Sequence, residues 1–216
     1  MTAATGYRGV LWDFGGVLSS SPFEAFAAYE RHLGIPEGFI RSVNATNPDA
    51  NAWARFERSE LDLLGFDTAF AEESEALGHR VDGREVIARL AGELRPTMLD
   101  AVRRCREHGL VTGLLTNNVV ASDAGDEGGW SRTIDLPALF DVVVESAKEG
   151  VRKPEPAAYE LVLQRMGVTA AETVFLDDLG INLKPARAMG MATVKVVDAD
   201  EALAELERIL GVRLRA

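Results

Sequence analysis

Cysteine is nearly missing from this chain, with Cys105 alone among 216 residues. An internal disulfide is therefore excluded, and the usage fits a reducing cytoplasm. Long apolar runs are missing too: none approaches the ~20 residues that a bilayer-spanning helix needs. The N-terminal MTAATGYRG has no basic segment followed by an apolar one, so no secretory signal is expected. Basic residues are in deficit. Lys and Arg number 23 against 34 Asp and Glu, a formal net charge of −11, which argues against nucleic acid or an anionic membrane as partner. That total does not exclude an anionic small molecule, because a bound metal and a few local cations can reverse the field inside one pocket. Internal repeats and low-complexity tracts are also lacking. What is there, 47% hydrophobic and 26% charged, is ordinary composition for one large domain or a core plus a small one. It leaves homo-oligomerisation open.

The two ends of the chain alternate strand and helix patterns, and the middle reads as helical. Residues 8–13 form a first strand. Ser21-Pro22 signals a helix start, with Ser21 as N-cap, and the apolar stripe Phe23, Phe26, Ala27, Leu33 stops at Gly34. Further helices are predicted near 36–45, 49–58, 67–77 and 83–93, the last with Val86, Ile87, Leu90 and Leu94 on one side. No strand is predicted between residues 20 and 108. A helix then runs from Pro96 to Gly109, and the strand LVTGLLTNN follows. The polar, glycine-rich stretch 122–135 reads as a surface loop. After it come FDVVVES (strand), PEPAAYELVLQRMG (helix), TVFLDD (strand), INLKPARAMG (helix, with Pro185 tolerable in its first turns), ATVKVVD (strand) and DEALAELERILG (helix).

Strands separated by helices of this length imply right-handed crossovers and a parallel sheet covered on both faces. The expected architecture is α/β: a Rossmann-like parallel sheet with helices on both faces and a small all-helical cap inserted after the first strand. The core would comprise residues 1–18 and 96–216, and the cap residues 19–95. In such sheets ligands bind beyond the carboxyl ends of the strands. That rule singles out Asp13, Thr116-Asn117-Asn118 and Asp177-Asp178, with Lys153 in the loop after the FDVVVES strand. Three carboxylates brought together repel unless a cation joins them. A hard divalent ion with oxygen ligands, Mg²⁺, meets that need. With the metal on one side and Lys153 on the other, the site can hold a phosphoryl group, and an ionised Asp can attack phosphorus.

Four segments, VLWDFGGVL, GLLTNN, EGVRKPEP and VFLDDLGIN, resemble in order and spacing the motifs of the haloacid dehalogenase-like superfamily. TVFLDDLGINLKPARAMGM in particular is similar to the N-terminal phosphatase domain of soluble epoxide hydrolases and related bacterial phosphatases. The resemblance implies that Asp13 is nucleophile and metal ligand, and that Gly15 offers the metal its backbone carbonyl. It implies that Asp178 ligates directly, with Asp177 close by or acting through water. Thr116 and the Asn117 amide would hold phosphoryl oxygens, Lys153 would neutralise Asp13 and the transferring group, and Asn182 would support from behind. The expected enzyme is a Mg²⁺-dependent phosphatase acting on a small phosphorylated metabolite.

One position departs from that pattern. These phosphatases usually carry a second Asp, two residues after the nucleophile, that protonates the leaving group; here it is Gly15. Losing a positioned acid/base costs about 10²–10⁴-fold. Three readings follow: a leaving group needing little protonation, a substitute from the cap or a water, or a weak or non-catalytic phosphate binder. Some bacterial phosphatases of the superfamily resemble this chain in having D-x-G-[GN]-V. A metal-free 2-haloacid dehalogenase would use the same Asp, but two carboxylates at 177 and 178 would then oppose an anionic substrate.

Taken singly, Asp13 could cap a turn and Lys153-Pro154 could merely precede a helix; the four motifs together favour chemistry. In the cap, Glu57 and Glu60 read as a solvated helix face, and Arg58 as a cation over the phosphate entrance as readily as a surface residue. Trp53 and Phe56 read as cap core, and Cys105 as a buried helix residue. Arg152 either adds positive potential beside Lys153 or is exposed. His32, His79 and His108 have no ligand spacing; His108 sits where a helix C-terminus welcomes positive charge.

Overall fold

The computed structural model describes residues 6–90, 92–118 and 135–215. Five parallel strands, β1 (Gly9–Trp12), β2 (Val111–Thr116), β3 (Val142–Glu145), β4 (Thr173–Asp177) and β5 (Ala192–Lys195), form one sheet in the order β3-β2-β1-β4-β5. β1 is central and buried on both faces, which is why GVLW reads as a continuous apolar run rather than an alternating one. Val10 and Trp12 point into one core with the helix Pro96–Glu107 and the helix Ala199–Leu210; Leu11 points into the other, with the helices Pro156–Met166 and Gly180–Ala188. The sheet is therefore covered on both faces, as the alternating pattern required.

Between β1 and the helix at Pro96 the chain forms α1 (Phe23–Leu33), α2 (Phe39–Ala45), α3 (Ala52–Glu57), α4 (Leu63–Ala76) and α5 (Gly83–Ile87). These helices have their own core. Phe56 stacks on Phe66 with ring centroids 4.5 Å apart, and Phe26, Ile40, Phe70 and Val86 close around them. Trp53 and Phe56 are thus part of that core, as expected. The chain leaves and re-enters the sheet side by side: the Arg95 N–H donates to the Leu18 carbonyl (2.8 Å), the Ser20 N–H to the Glu93 carbonyl (2.7 Å), and Ser19 bridges Leu94.

Continuing in chain order, α6 is Pro96–Glu107, α7 Leu136–Leu139, α8 Ser146–Glu149, α9 Pro156–Met166, α10 Gly180–Ala188 and α11 Ala199–Leu210. Pro185 lies inside α10. Several local expectations need correction. Ser21 does not cap α1: Pro22 occupies that position without a side-chain bond, and the Ser21 hydroxyl is buried with no partner among the described residues. The helix expected over 83–93 stops at Ile87, although Leu90 still packs on the core of these inserted helices. The short α7 and α8 were not anticipated; four residues carry too little periodicity to be seen. The loop expected at 122–135 lies outside the described residues except for Asp135, which caps α7 by accepting from the Ala138 N–H.

Candidate active site

Strand register assembles the acidic end of the site. Trp12 lies level with Leu176, and the Asp13 N–H donates to the Leu176 carbonyl at 2.9 Å. One residue further along, Asp13 and Asp177 leave adjacent central strands at the same height. Oxygens of Asp13, Asp177 and Asp178 all lie within 4.8 Å of one another. Lys153, 1% exposed, places its ammonium 2.6 Å from Asp13 Oδ1 and 2.7 Å from Asp177 Oδ2. The remaining capacity of Asp177 is taken by Asn182 Nδ2, 3.0 Å from each oxygen, and by the Leu179 N–H at 2.8 Å. Asn182 is itself anchored, since Tyr159 donates to its carbonyl at 2.8 Å. Asp178 is the more open of the acidic pair.

The electrostatics follow from this crowding. Burial pushes the Asp13 carboxyl up to about 8, Lys153 opposes that, and Asp177 and Asp178 add to it. Burial raises Asp178 to about 6, with Asp177 adding and Lys153 and Arg95 opposing. Burial alone would pull the Lys153 ammonium down, but Asp13 and Asp177 outweigh it and keep the lysine charged. One lysine cannot neutralise three carboxylates. The all-oxygen donor set, the short separation and the reluctance of Asp13 to ionise fit a hard divalent cation, which these residues could hold.

The turn after β1 is shaped by its two glycines. At Gly16 (φ +76°) a Cβ would fall 2.3 Å from Asp178 Oδ2, so no side chain fits there without moving that carboxylate. At Gly15 a Cβ would meet nothing within 4 Å. Arg95, from the segment re-entering the core, holds this turn by donating to the Gly16 carbonyl at 2.9 Å. Sequence reasoning passed over Arg95, because no motif marks it.

Thr116, the last residue of β2, is buried and pairs in register with Glu145. Asn117 does something the sequence did not suggest. Its side-chain amide grips the backbone of Lys153 from both sides, donating to the carbonyl (2.9 Å) and accepting from the N–H (2.8 Å). Asn118 turns toward β3, donating to Glu145 Oε1 at 2.7 Å. Arg58 is 2.6 Å from Glu60 and 3.3 Å from Glu155, and its Nη2 donates to the Asp49 carbonyl at 3.1 Å.

Glu57 overturns its expected place on a solvated face. It is 6% exposed. Its Oε1 accepts from Trp53 Nε1 at 2.9 Å, and its Oε2 accepts from Arg152 Nε and, at 3.3 Å, from Asn117 Nδ2. Burial pushes its carboxyl up, against the pull of Arg152. Arg152 is therefore neither free nor exposed. The available signal was Trp53 four residues before Glu57 on α3, a spacing that puts an indole N–H against a carboxylate. Cys105 is buried on α6, and burial pushes its thiol up to about 12, so it is inert. His108 closes α6, its Nε2 3.3 Å from the Arg213 carbonyl.

Among the described residues no helix is long and apolar enough to cross a membrane. The family model for haloacid dehalogenase-like hydrolases matches residues 7–190. Bifunctional epoxide hydrolase 2 of Sus scrofa is 32% identical over 96% of this chain and 39% of its own length. The sesquiterpene phosphatase astK of Aspergillus oryzae is 29% identical over 96% of this chain and 98% of its own. A haloacid dehalogenase family enzyme from Bacteroides thetaiotaomicron shares the fold, with a TM-score of 0.60 at 20% identity over 93% of this chain and 98% of that one. The chain spans only 20% to 39% of the length of several longer curated relatives. The motif order, the sheet and the matched model agree, and the chain belongs to the haloacid dehalogenase-like hydrolases.

Proposed function

We propose that this protein is a Mg²⁺-dependent phosphatase of small phosphorylated metabolites, working through an aspartyl-phosphate on Asp13. The observation that carries the reading is the Lys153 ammonium seated between Asp13 and Asp177, with Asp178 completing an acidic cluster at the carboxyl ends of the central strands. Full-length similarity to a sesquiterpene phosphatase supports the reaction class. Asp13, Asp178 and the Gly15 carbonyl would hold the metal, with Asp177 close by or acting through water. When bound, it would supply positive charge to the carboxylates and the phosphoryl oxygens.

The chain's own residues divide the remaining work. Asp13, ionised, attacks phosphorus as the ester oxygen departs, and water later cleaves the acyl phosphate. Lys153 offers fixed positive charge to Asp13 and the transferring group, at no reorganisation cost because it is already held. Thr116 and the Asn117 backbone N–H would bind phosphoryl oxygens. The helices of residues 19–95 would serve as a cap over the core of residues 1–18 and 96–216, excluding water and choosing the substrate. The reducing setting suggested by the lone cysteine belongs to the same proposal. A dehalogenase would leave Asp178 facing an anionic substrate with no metal to balance it.

The test is a panel of phosphate esters and acyl phosphates, assayed with Mg²⁺ and with EDTA. Hydrolysis that needs Mg²⁺ and disappears in a folded Asp13→Asn variant is expected. Full activity of that variant in a clean preparation would overturn the nucleophile assignment, and chloride release from 2-chloropropionate without metal would overturn the reaction class.

A further inference from the structure

The catalytic lysine is not held by its own loop alone. Asn117 grips the backbone N–H and carbonyl of Lys153, and Glu57, from α3 of the inserted helices, in turn accepts from the amide nitrogen of Asn117. The other bonds of Glu57 fix it in place: Trp53 donates to one oxygen, and Arg152, the neighbour of Lys153 in sequence, donates to the other. Three donors converge on this buried carboxyl group, so both of its oxygens are engaged as acceptors. Around it, the segments flanking α3 are tied to α8 and to the loop of Lys153. Arg58 pairs with Glu155, the Ser59 hydroxyl donates to the Ala147 carbonyl at 2.8 Å, and Arg152 Nη1 donates to the Pro48 carbonyl at 3.1 Å.

We propose that Glu57 is a positioning residue for Lys153: through Asn117 it couples the docking of α3 to the placement of the ammonium between Asp13 and Asp177. The chain of contacts runs Glu57, Asn117 side chain, Lys153 backbone, Lys153 ammonium, Asp13. Docked helices would hold the lysine aligned, and undocked ones would release Asn117 and let it drift. A buried carboxylate is costly to keep unless its hydrogen bonds are all made, as they are here. The proposal rests on Lys153 acting on Asp13 as described above, but its central claim, where the ammonium sits, can be measured without turnover.

Glu57→Ala, Glu57→Gln and Asn117→Ala are made singly, and Glu57→Ala also in the Asn117→Ala background. With the best ester of the panel, Glu57→Ala should lower kcat about 10–100-fold, the scale of a small misplacement of a catalytic group, while KM changes less than about twofold. Glu57→Gln, which keeps an acceptor but loses the charge facing Arg152, should recover part of that loss. In the Asn117→Ala background, removing Glu57 should cost almost nothing more, because the relay is already cut. Equal losses in both backgrounds would overturn the relay.

The second readout is acetylation of Lys153 by a soluble amine-reactive ester, followed by mass spectrometry with the exposed Lys184 as internal reference. Labelling of Lys153 should rise several-fold in the folded variants. Labelling as low as in the wild type, in Glu57→Gln and Asn117→Ala alike, would overturn the proposal even if the protein turned over no ester. Absence of turnover with increased labelling would instead reject the phosphatase reading and leave the positioning role standing.

Discussion

A Cβ at Gly15 would meet no atom within 4 Å, whereas the same atom at Gly16 would collide with the Asp178 carboxylate at 2.3 Å. The two neighbours therefore respond oppositely to substitution. Gly15→Asp should be accommodated and should place a proton donor two residues after the proposed nucleophile, Asp13. Turnover of alkyl phosphates, whose leaving alkoxides need a proton, should rise by up to about 10²-fold. Turnover of p-nitrophenyl phosphate, whose leaving group needs little, should hardly change. If the alkyl-to-aryl ratio of kcat stays constant, leaving-group protonation is not what Gly15 withholds. Gly16→Ala should do the reverse: with φ at +76° and no room for a methyl, Asp178 must move. Mg²⁺ affinity, read by calorimetry or by the metal dependence of turnover, should fall about 10–100-fold. An unchanged affinity would take Asp178 out of the metal site.

At the scale of elements, α3 is where function meets local stability. It is only six residues long, Ala52–Glu57, and too short to persist unaided. Asn51 caps it, accepting from the Ala54 N–H at 2.8 Å while donating to the carbonyls of Asn44 and Thr46. Asn51→Ala should cost about 1–2 kcal/mol in urea unfolding, and amide exchange should speed up in α3 before it does in β1 or β4. Uniform acceleration would mean that α3 does not open separately.

The same element shows what the sequence could and could not tell. The ends of β1, β2 and β4 were legible, because buried apolar runs stopping at Asp13, Thr116 and Asp177 are local patterns, and the α/β order follows from them. The capping of α1 by Ser21 and the full length of the helix from Gly83 differ from the sequence pattern: Pro22 takes the cap position, and the helix ends at Ile87. The burial of Glu57 was beyond local reading. Its partners Asn117 and Arg152 lie 60 and 95 residues away, so a charged helix face looked solvated until the fold brought Arg152 against it.

For the whole molecule, the acidic cluster ties stability to pH and to metal. An acid whose pKa is higher folded than unfolded is held protonated by the fold, so the unfolded chain binds fewer protons and stability falls as pH rises between the two values. For Asp13 that window runs from 3.8 to about 8, and for Asp178 from 3.8 to about 6. Groups shifted the other way do not offset it. Glu207, drawn down from 4.5 to about 2 by Arg215, contributes stability that is lost only as pH falls through that interval, below pH 5. Lys153, held above 10.5, contributes stability that is lost only above it. Between pH 5 and pH 8 the metal-free protein should therefore lose thermal stability, and Asp13→Asn should flatten much of that slope. At the proposed site Mg²⁺ would bind the ionised carboxylates and favour the folded state by mass action. Its stabilising effect should accordingly be larger at pH 8 than at pH 5. Melting temperatures in EDTA and in millimolar Mg²⁺ at both pH values check this directly. A flat or rising profile in EDTA, or equal Mg²⁺ shifts at both pH values, would show that the three carboxylates do not form the proposed cation site.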